Sequence, residues 1–183
     1  MKLFDEIPTL SNDRVILREI VAGDASAVER IAHDPEVNLY LPAYLIEQRY
    51  SALECIDHMR EECLIYHRSL FLAIALCSNP DQMLGIAEIY NYDEDVAKAS
   101  IGCRLSKESW HQGIATQVAA LLLNYLIDQL GLSTVTAHIA VGNTYSSKPL
   151  LDNGFVLSTS GLQEDWARDE PVITNKYVYE RPK

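Results

Sequence analysis

The sequence predicts a mixed α+β fold: one central, mostly antiparallel sheet of about seven strands, with helices packed against it. Three observations carry this. Short apolar stretches bounded by turn residues recur along the chain, as strands require. Three of them follow one another between 70 and 105 with only short turns between, which implies an antiparallel meander. Between the others lie segments whose apolar residues repeat at helical spacing. The order is strand, two helices, three strands, helix, strand, helix, two strands. The chain has 183 residues, 48% of them hydrophobic and 22% charged, which suits a single globular domain over 1–183 with a substantial core.

Thr9 to Ile20 reads as the first strand, with Val15, Leu17 and Glu19 on one face and Arg14, Ile16, Arg18 and Ile20 on the other, an imperfect alternation. Asp24 is suited to cap a short helix whose inner face is Ala25, Val28, Ile31 and Ala32. Asp34-Pro35 ends it. Val37 to Tyr44 is a loop or short turn with Tyr40, Pro42 and Tyr44, either packing filler or one wall of a binding site. Glu47 to about Tyr66 carries Tyr50, Leu53, Ile56, Met59, Cys63 and Tyr66 at helical spacing. Leu70 to Cys77 is a nearly continuous apolar run, long enough for a buried strand. Ser78-Asn79-Pro80-Asp81 turns the chain into Met83 to Tyr92, and an acidic turn leads to Val96 to Leu105. A strongly apolar helix then runs from about Gly113 to Leu130, stopped by Gly131. Thr134 to Val141 is a β-branched strand. Thr144 to Asn153 reads as a helix that must start late, near Ser147 or Lys148, because Pro149 is tolerated only in a first turn. Phe155 to Leu162 and Val172 to Tyr179 are the last strands.

Composition narrows the function. The formal net charge of −11 argues against nucleic-acid binding, which needs a basic footprint. The acid excess serves solubility, or else a field that draws in a cationic substrate. No apolar run reaches bilayer length, and Met1 to Thr9 has no signal-peptide core, so no membrane association is expected. Cys55, Cys63, Cys77 and Cys103 are dispersed and read as free thiols of a reducing, cytoplasmic setting. Cys55 with His58, and Cys63 with His67, have helical ligand spacing. They lack the further ligands of a closed zinc site, so no metal is expected.

The stretch with chemical content is Trp110-His111-Gln112-Gly113-Ile114-Ala115-Thr116. It joins a strand to a helix through a glycine turn. The first N–H groups of a helix lack partners within it, and the helix dipole adds positive charge at the same point. A phosphate fits there, and small residues let it approach the main chain.

Four stretches in this order resemble the GNAT acyltransferase superfamily, and within it the branch of ribosomal-protein N-terminal acetyltransferases. Arg14-Val15-Ile16-Leu17-Arg18 with Asp24 resembles the branch's opening R-L-x-L-R strand and aspartate. Ser100 to Leu105 is similar to its I-G-Y-x-L strand, and Trp110 to Thr116 to its W-G-K-G-Y-A-T turn. Asn143-x-x-Ser146 with Gly154-Phe155 is similar to its N-x-x-S…G-F element. There are departures. His111 replaces a glycine, Gln112 stands where a basic residue is common, and Cys103 where an aromatic is frequent. Leu150 lies where some relatives carry a tyrosine general acid.

The resemblance implies helices on both sheet faces and acetyl-CoA as donor. The donor would lie between the strand ending at Leu105 and the strand 134–141, splayed apart, with its pyrophosphate on the N–H groups of Gln112, Gly113, Ile114, Ala115 and Thr116, and Asn143 holding the pantetheine. It implies direct attack by a primary amine, on a protein N-terminus or a small molecule. An α-amine, with a pKa of about 7.7–8.0, needs less help to lose its proton than a lysine amine at about 10.4. Ser146 is the candidate acid or hydrogen-bond donor at the leaving sulfur, or else a helix cap. Glu88 is the candidate base, on a strand face with Leu84, Ile86 and Tyr90, or else an edge residue. His138, between Ala137 and Ile139, is a second candidate base, or else structural. Cys103 reads as an inert thiol. Homodimers are common among such proteins, and a homodimer is compatible with this chain. A CoA-binding regulatory or interaction protein without turnover is the competing reading, kept open by Leu150.

Overall fold

A computed structural model describes residues 3–42 and 50–182. Eight strands form one sheet. They are β1 (Leu10–Ser11), β2 (Val15–Arg18), β3 (Leu70–Leu76), β4 (Gly85–Asp93), β5 (Lys98–Leu105), β6 (Thr134–Ala140), β7 (Val156–Glu164) and β8 (Val172–Glu180). The spatial order is β1-β2-β3-β4-β5-β6-β8-β7. Neighbours are antiparallel except β5 and β6, which run parallel. A parallel pair needs a crossover, and here the crossover is the helix α4 (Ile114–Leu123). The predicted meander of three strands is β3-β4-β5.

The first strand differs from expectation and raises the count to eight. Thr9 to Ile20 is a hairpin of β1 and β2, not one strand. The Asn12 side-chain oxygen accepts the N–H groups of Arg14 at 2.9 Å and Val15 at 2.8 Å, which turns the chain where alternation alone shows continuity.

Helices cover both faces. On one face α4 and the turn after it bury Ile114, Val118, Leu122, Tyr125 and Leu126 against Leu17, Leu72, Ile74, Ile89, Ile101 and Val135. On the other, α1 (Ala25–His33), α2 (Pro35–Asn38) and α3 (Ala52–Leu64) bury Val28, Ile31, Val37 and Ile56 against Ala73 and Ile86. The expected loop from Val37 begins inside α2, because Asp34 accepts the N–H groups of Glu36 and Val37 and Pro35 starts the turn. Tyr44 lies outside the described residues.

The α3 helix starts later than expected. Ser51 and Glu54 exchange hydrogen bonds as a capping box. Glu47 lies outside the described residues. Only part of the predicted stripe faces inward: Ile56 and Cys63 are buried, while Tyr50, Leu53 and Tyr66 are exposed. The helix expected through Leu130 is α-helical to Leu123, then widens to a π-turn over Asn124–Gln129 and stops at Gly131 with φ 77°. The last helix, α5, spans Ser147–Leu151 and starts late, as Pro149 requires. Among the described residues no helix is long and apolar enough to cross a membrane.

Asp24 does not cap α1 with its side chain. Its carboxylate instead takes two hydrogen bonds from the Arg18 guanidinium, at 2.8 and 2.9 Å, and one from the Val21 N–H at 2.9 Å. Arg18 also donates to the Glu19 and Pro80 carbonyls. Together they lock the end of β2 to the start of α1. Burial pushes the Asp24 carboxyl up, but the Arg18 and Val21 hydrogen bonds and the Arg18 charge hold it below its ordinary value. A lowered carboxyl pKa contributes stability above the unfolded value of about 3.9 and loses it as pH falls through the folded value. Asp24→Ala is expected to cost about 2 kcal/mol in urea unfolding at pH 7, since it removes a buried, hydrogen-bonded carboxylate and leaves the half-buried Arg18 guanidinium without its partner. The gap between variant and wild type should narrow as pH falls below the usual aspartate range.

Candidate functional site

The β5–β6 pair is formed over only three residues: Lys98 with Thr134, Ala99 with Val135, and Ser100 with Thr136. The last rung carries a buried hydrogen bond between the Ser100 and Thr136 hydroxyls, 2.9 Å apart. Beyond it the strands separate. Each stays held from outside, β5 by β4 to Leu105 and β6 by β8 to Ala140. Their facing edges therefore present unpaired backbone groups in a rigid gap, and such groups need a partner.

Leu105 leads through a 3-10 turn, Lys107–Ser109, to Trp110. The Trp110 indole N–H donates to the Leu105 carbonyl at 2.9 Å, and its ring packs against both cores. His111 and Gly113 both have positive φ, 58° and 73°. This bends the chain sharply, so that Gly113, Ile114, Ala115 and Thr116 open α4 with their N–H groups directed at one point. The helix begins beside the gap, and Ala115, Val118, Ala119 and Leu122 of α4 line the cavity that the gap opens into.

That cavity has a volume of about 460 Å³. Glu88 and Arg104 enter it from β4 and β5, with Cys103 and Gly102. Glu88 lies opposite Gly102, and Arg104 opposite Ile86, so carboxylate and guanidinium share one face of the sheet. The Glu88 carboxylate lies over Gly102, with Oε2 4.0 Å from where a methyl group on Gly102 would stand. Burial pushes the Glu88 carboxyl above its ordinary value. The Arg104 charge and a hydrogen bond with Ser69 work against that shift, and Glu62 adds to it. Burial lowers the Arg104 guanidinium, against the pull of Glu88. Cys103 stands in the cavity wall, where its sulfur is accessible but the surrounding protein pushes the thiol up to about 12.

The opposite wall is β6 and what packs on it. His138 Nδ1 is in contact with Glu164 Oε1. The other carboxylate oxygen accepts the Trp166 indole N–H at 3.0 Å. Asn143 and Ser146 come from the β6–α5 loop. Ser146 precedes α5, yet its side chain makes no capping hydrogen bond, so the capping alternative does not describe it. Tyr40 closes one end. Its ring lies where a side chain on Gly142 would go, with Tyr40 Cε1 2.9 Å from a built methyl group. The Arg168 guanidinium donates to the Asn38 and Leu41 carbonyls at 2.6–3.0 Å and pins the turn that carries Tyr40.

The family description "acetyltransferase (GNAT) domain" matches residues 14–156. The chain belongs to the GNAT acetyltransferase family. It is similar to the uncharacterized N-acetyltransferase YoaA of Bacillus subtilis (strain 168), 26% identical over 177 residues, covering 96% of this chain and 98% of the relative. Among solved structures it shares its fold with Mycobacterium smegmatis RimJ in complex with CoA-disulfide. That likeness has TM-score 0.81 and 21% identity over 95% of this chain and 88% of the other. The fold is also that of the spermidine N-acetyltransferase from Vibrio cholerae in complex with CoA and spermine, with TM-score 0.75 and 15% identity over 92% and 96%. The protein is an acetyl-CoA-dependent acetyltransferase. The GNAT donor fits what the chain presents: a half-open strand pair needing backbone partners, ending at a helix N-terminus suited to phosphate.

Of the residues singled out from sequence, the fold brings Glu88, His138, Asn143, Ser146 and Ala115 to one cavity. Leu105 ends the strand beside the gap: its side chain is buried in the core, its carbonyl accepts from Trp110, and Gly102, Cys103 and Arg104 before it line the cavity. The Gln112 side chain is turned away, its amide donating to the Glu108 carbonyl at 2.7 Å. Leu84, expected beside Glu88, precedes β4 and packs against the other core. Glu164, Arg104 and Trp166 went unnoticed as site residues. Trp166 in an acidic segment was a signal; for Glu164 the strand register alone brings it to His138.

Proposed function

We propose that this GNAT enzyme acetylates a primary amine by direct attack, with a cationic acceptor entering the cavity beside β5 and β6. The observation that carries the reading is the gap beyond Ser100 and Thr136. It opens at one end onto the helix N-terminus and at the other onto a cavity holding Glu88, Glu164 and Asp165. A phosphate-bearing donor and a positively charged acceptor are thereby met by opposite charges. Solved structures of the same fold include proteins whose names specify spermidine and ribosomal-protein acceptors, which agrees with amine chemistry.

Acetyl-CoA supplies the thioester acetyl group. Glu88 accepts one proton from the acceptor ammonium, directly or through a water, and frees the nitrogen lone pair. As the C–N bond forms, the Ser146 hydroxyl donates a hydrogen bond at the leaving sulfur. As the C–S bond breaks, a second proton from nitrogen ends on the thiolate. Asn143 and the α4 N-terminus hold the donor. No residue forms a covalent acyl intermediate. His138, oriented by Glu164, faces the same space from the other wall and orients the acceptor.

Free-thiol release is expected to depend on both acetyl-CoA and an amine when the enzyme is tested against N-terminal peptides, polyamines and amino sugars. Donor binding with no acceptor-dependent release across that panel would favour a binding protein over an enzyme. Ser146→Ala is expected to lower kcat about tenfold or more with little change in KM for acetyl-CoA; equal losses in both would make Ser146 a structural residue. The raised Glu88 carboxyl places the acid limb of kcat above the ordinary glutamate value of about 4.3, because only the ionised form accepts a proton. Glu88→Gln should abolish that limb together with most of kcat. A limb that survives in Glu88→Gln and vanishes in His138→Gln would move the base to β6.

A further inference from the structure

We propose that Arg14, carried by the turn between β1 and β2, binds the donor's phosphates and supplies the cationic side chain that the turn before α4 lacks. This rests on the reading that acetyl-CoA occupies the β5–β6 gap.

A helix N-terminus offers about half a unit of positive charge. The chain as a whole has a net charge of −11, so it opposes a polyanionic ligand. The side chains of the turn do little to offset this. Lys107 is paired with Glu36. Gln112 is neutral, and its amide is spent on the Glu108 carbonyl. The His111 ring lies edge-on to Tyr145, with centroids 5.2 Å apart.

Arg14 reaches the same place from another element. A methyl group built on Gly113 would lie 3.8 Å from Arg14 Nη1. The backbone beneath Arg14 is fixed on both sides. Asn12 Oδ1 takes the Arg14 N–H at 2.9 Å, and the Arg14 carbonyl takes the Cys77 N–H at 2.9 Å. The hairpin turn is itself docked on α4, where Asn12 Nδ2 donates to Gln117 Oε1 at 2.8 Å. Gln117 lies one helical turn beyond Gly113, so this bond holds the turn that carries Arg14 beside the start of the helix.

The contrast with Arg18 is informative. Four residues on, at the end of β2, Arg18 is consumed by Asp24 and two carbonyls. Among the described residues no carboxylate pairs with Arg14. An exposed guanidinium beside a helix N-terminus, without an anion partner among the described residues, can present two parallel donors to a phosphate.

The test is steady-state kinetics of the full chain. Arg14→Gln changes an exposed side chain, and its thermal unfolding should match the wild type. KM for acetyl-CoA is expected to rise about tenfold, the size of one charge-assisted hydrogen bond, while kcat holds. The rise of KM with salt should flatten, because one phosphate contact is gone. Arg14→Lys should recover part of the affinity, and adding Gln112→Lys to Arg14→Gln should restore it by placing the charge on the turn. CoA and dephospho-CoA as inhibitors locate the contact: equal loss for both assigns the pyrophosphate, and loss for CoA alone the 3′-phosphate. An unchanged KM with unchanged salt dependence would overturn the proposal. A wild-type protein that binds no acetyl-CoA would instead overturn the reading of the gap, which is a separate result.

Discussion

The hydrogen bond between Ser100 and Thr136 marks where this sheet stops being a sheet. Up to that rung β5 and β6 pair as any parallel strands do. Past it each strand keeps its outer neighbour and gives up its inner one. Unpaired backbone is costly inside a protein, and a ligand with its own amides and carbonyls can take the vacant positions. The gap stays rigid because β4 and β8 fix its walls. The position of the cavity, the exposure of Glu88 to it and the approach of the β6–α5 loop all follow from that divergence.

Two strands of the sheet carry opposed electrostatic tasks. Glu88 and Arg104 share a face of the β4–β5 pair, and burial works on both. Burial raises the Glu88 carboxyl and the Arg104 charge works against that rise. The cavity's other wall offers a carboxylate that accepts the Trp166 indole N–H at one oxygen and touches His138 at the other. Pinning of this kind orients an imidazole, which would otherwise rotate. Glu88, Glu164 and Asp165 line the cavity, while a helix N-terminus lies at the other end of the gap.

Much of the fold was legible because its signals are local. The meander is written in apolar runs and short turns, and the late start of α5 in Pro149. The misreadings share one cause: side chains chose distant partners over near ones. Asp24 has the chemistry of a helix cap, yet it answers Arg18 across the β2–α1 join. Asn12 breaks a strand that alternation alone would continue. The α3 stripe looked broad because Tyr50, Leu53 and Tyr66 fit helical spacing, although only a narrower strip meets the sheet.

The candidate site divides along the same line. The amino-acid order by itself determined the strand-turn-helix at Trp110 to Thr116 and the Asn143–Ser146 element, because a phosphate turn and a short loop are contiguous in the chain. Tertiary structure alone decided that Glu88, Arg104, His138 and Glu164 share one cavity, that Leu105 faces the core, and that Arg14 lies over Gly113. These depend on strand register and on which face each residue takes, and register is set by packing across the whole sheet. A residue's neighbour in sequence cannot report its neighbour across a strand pair, and in this protein the chemistry is gathered across strand pairs.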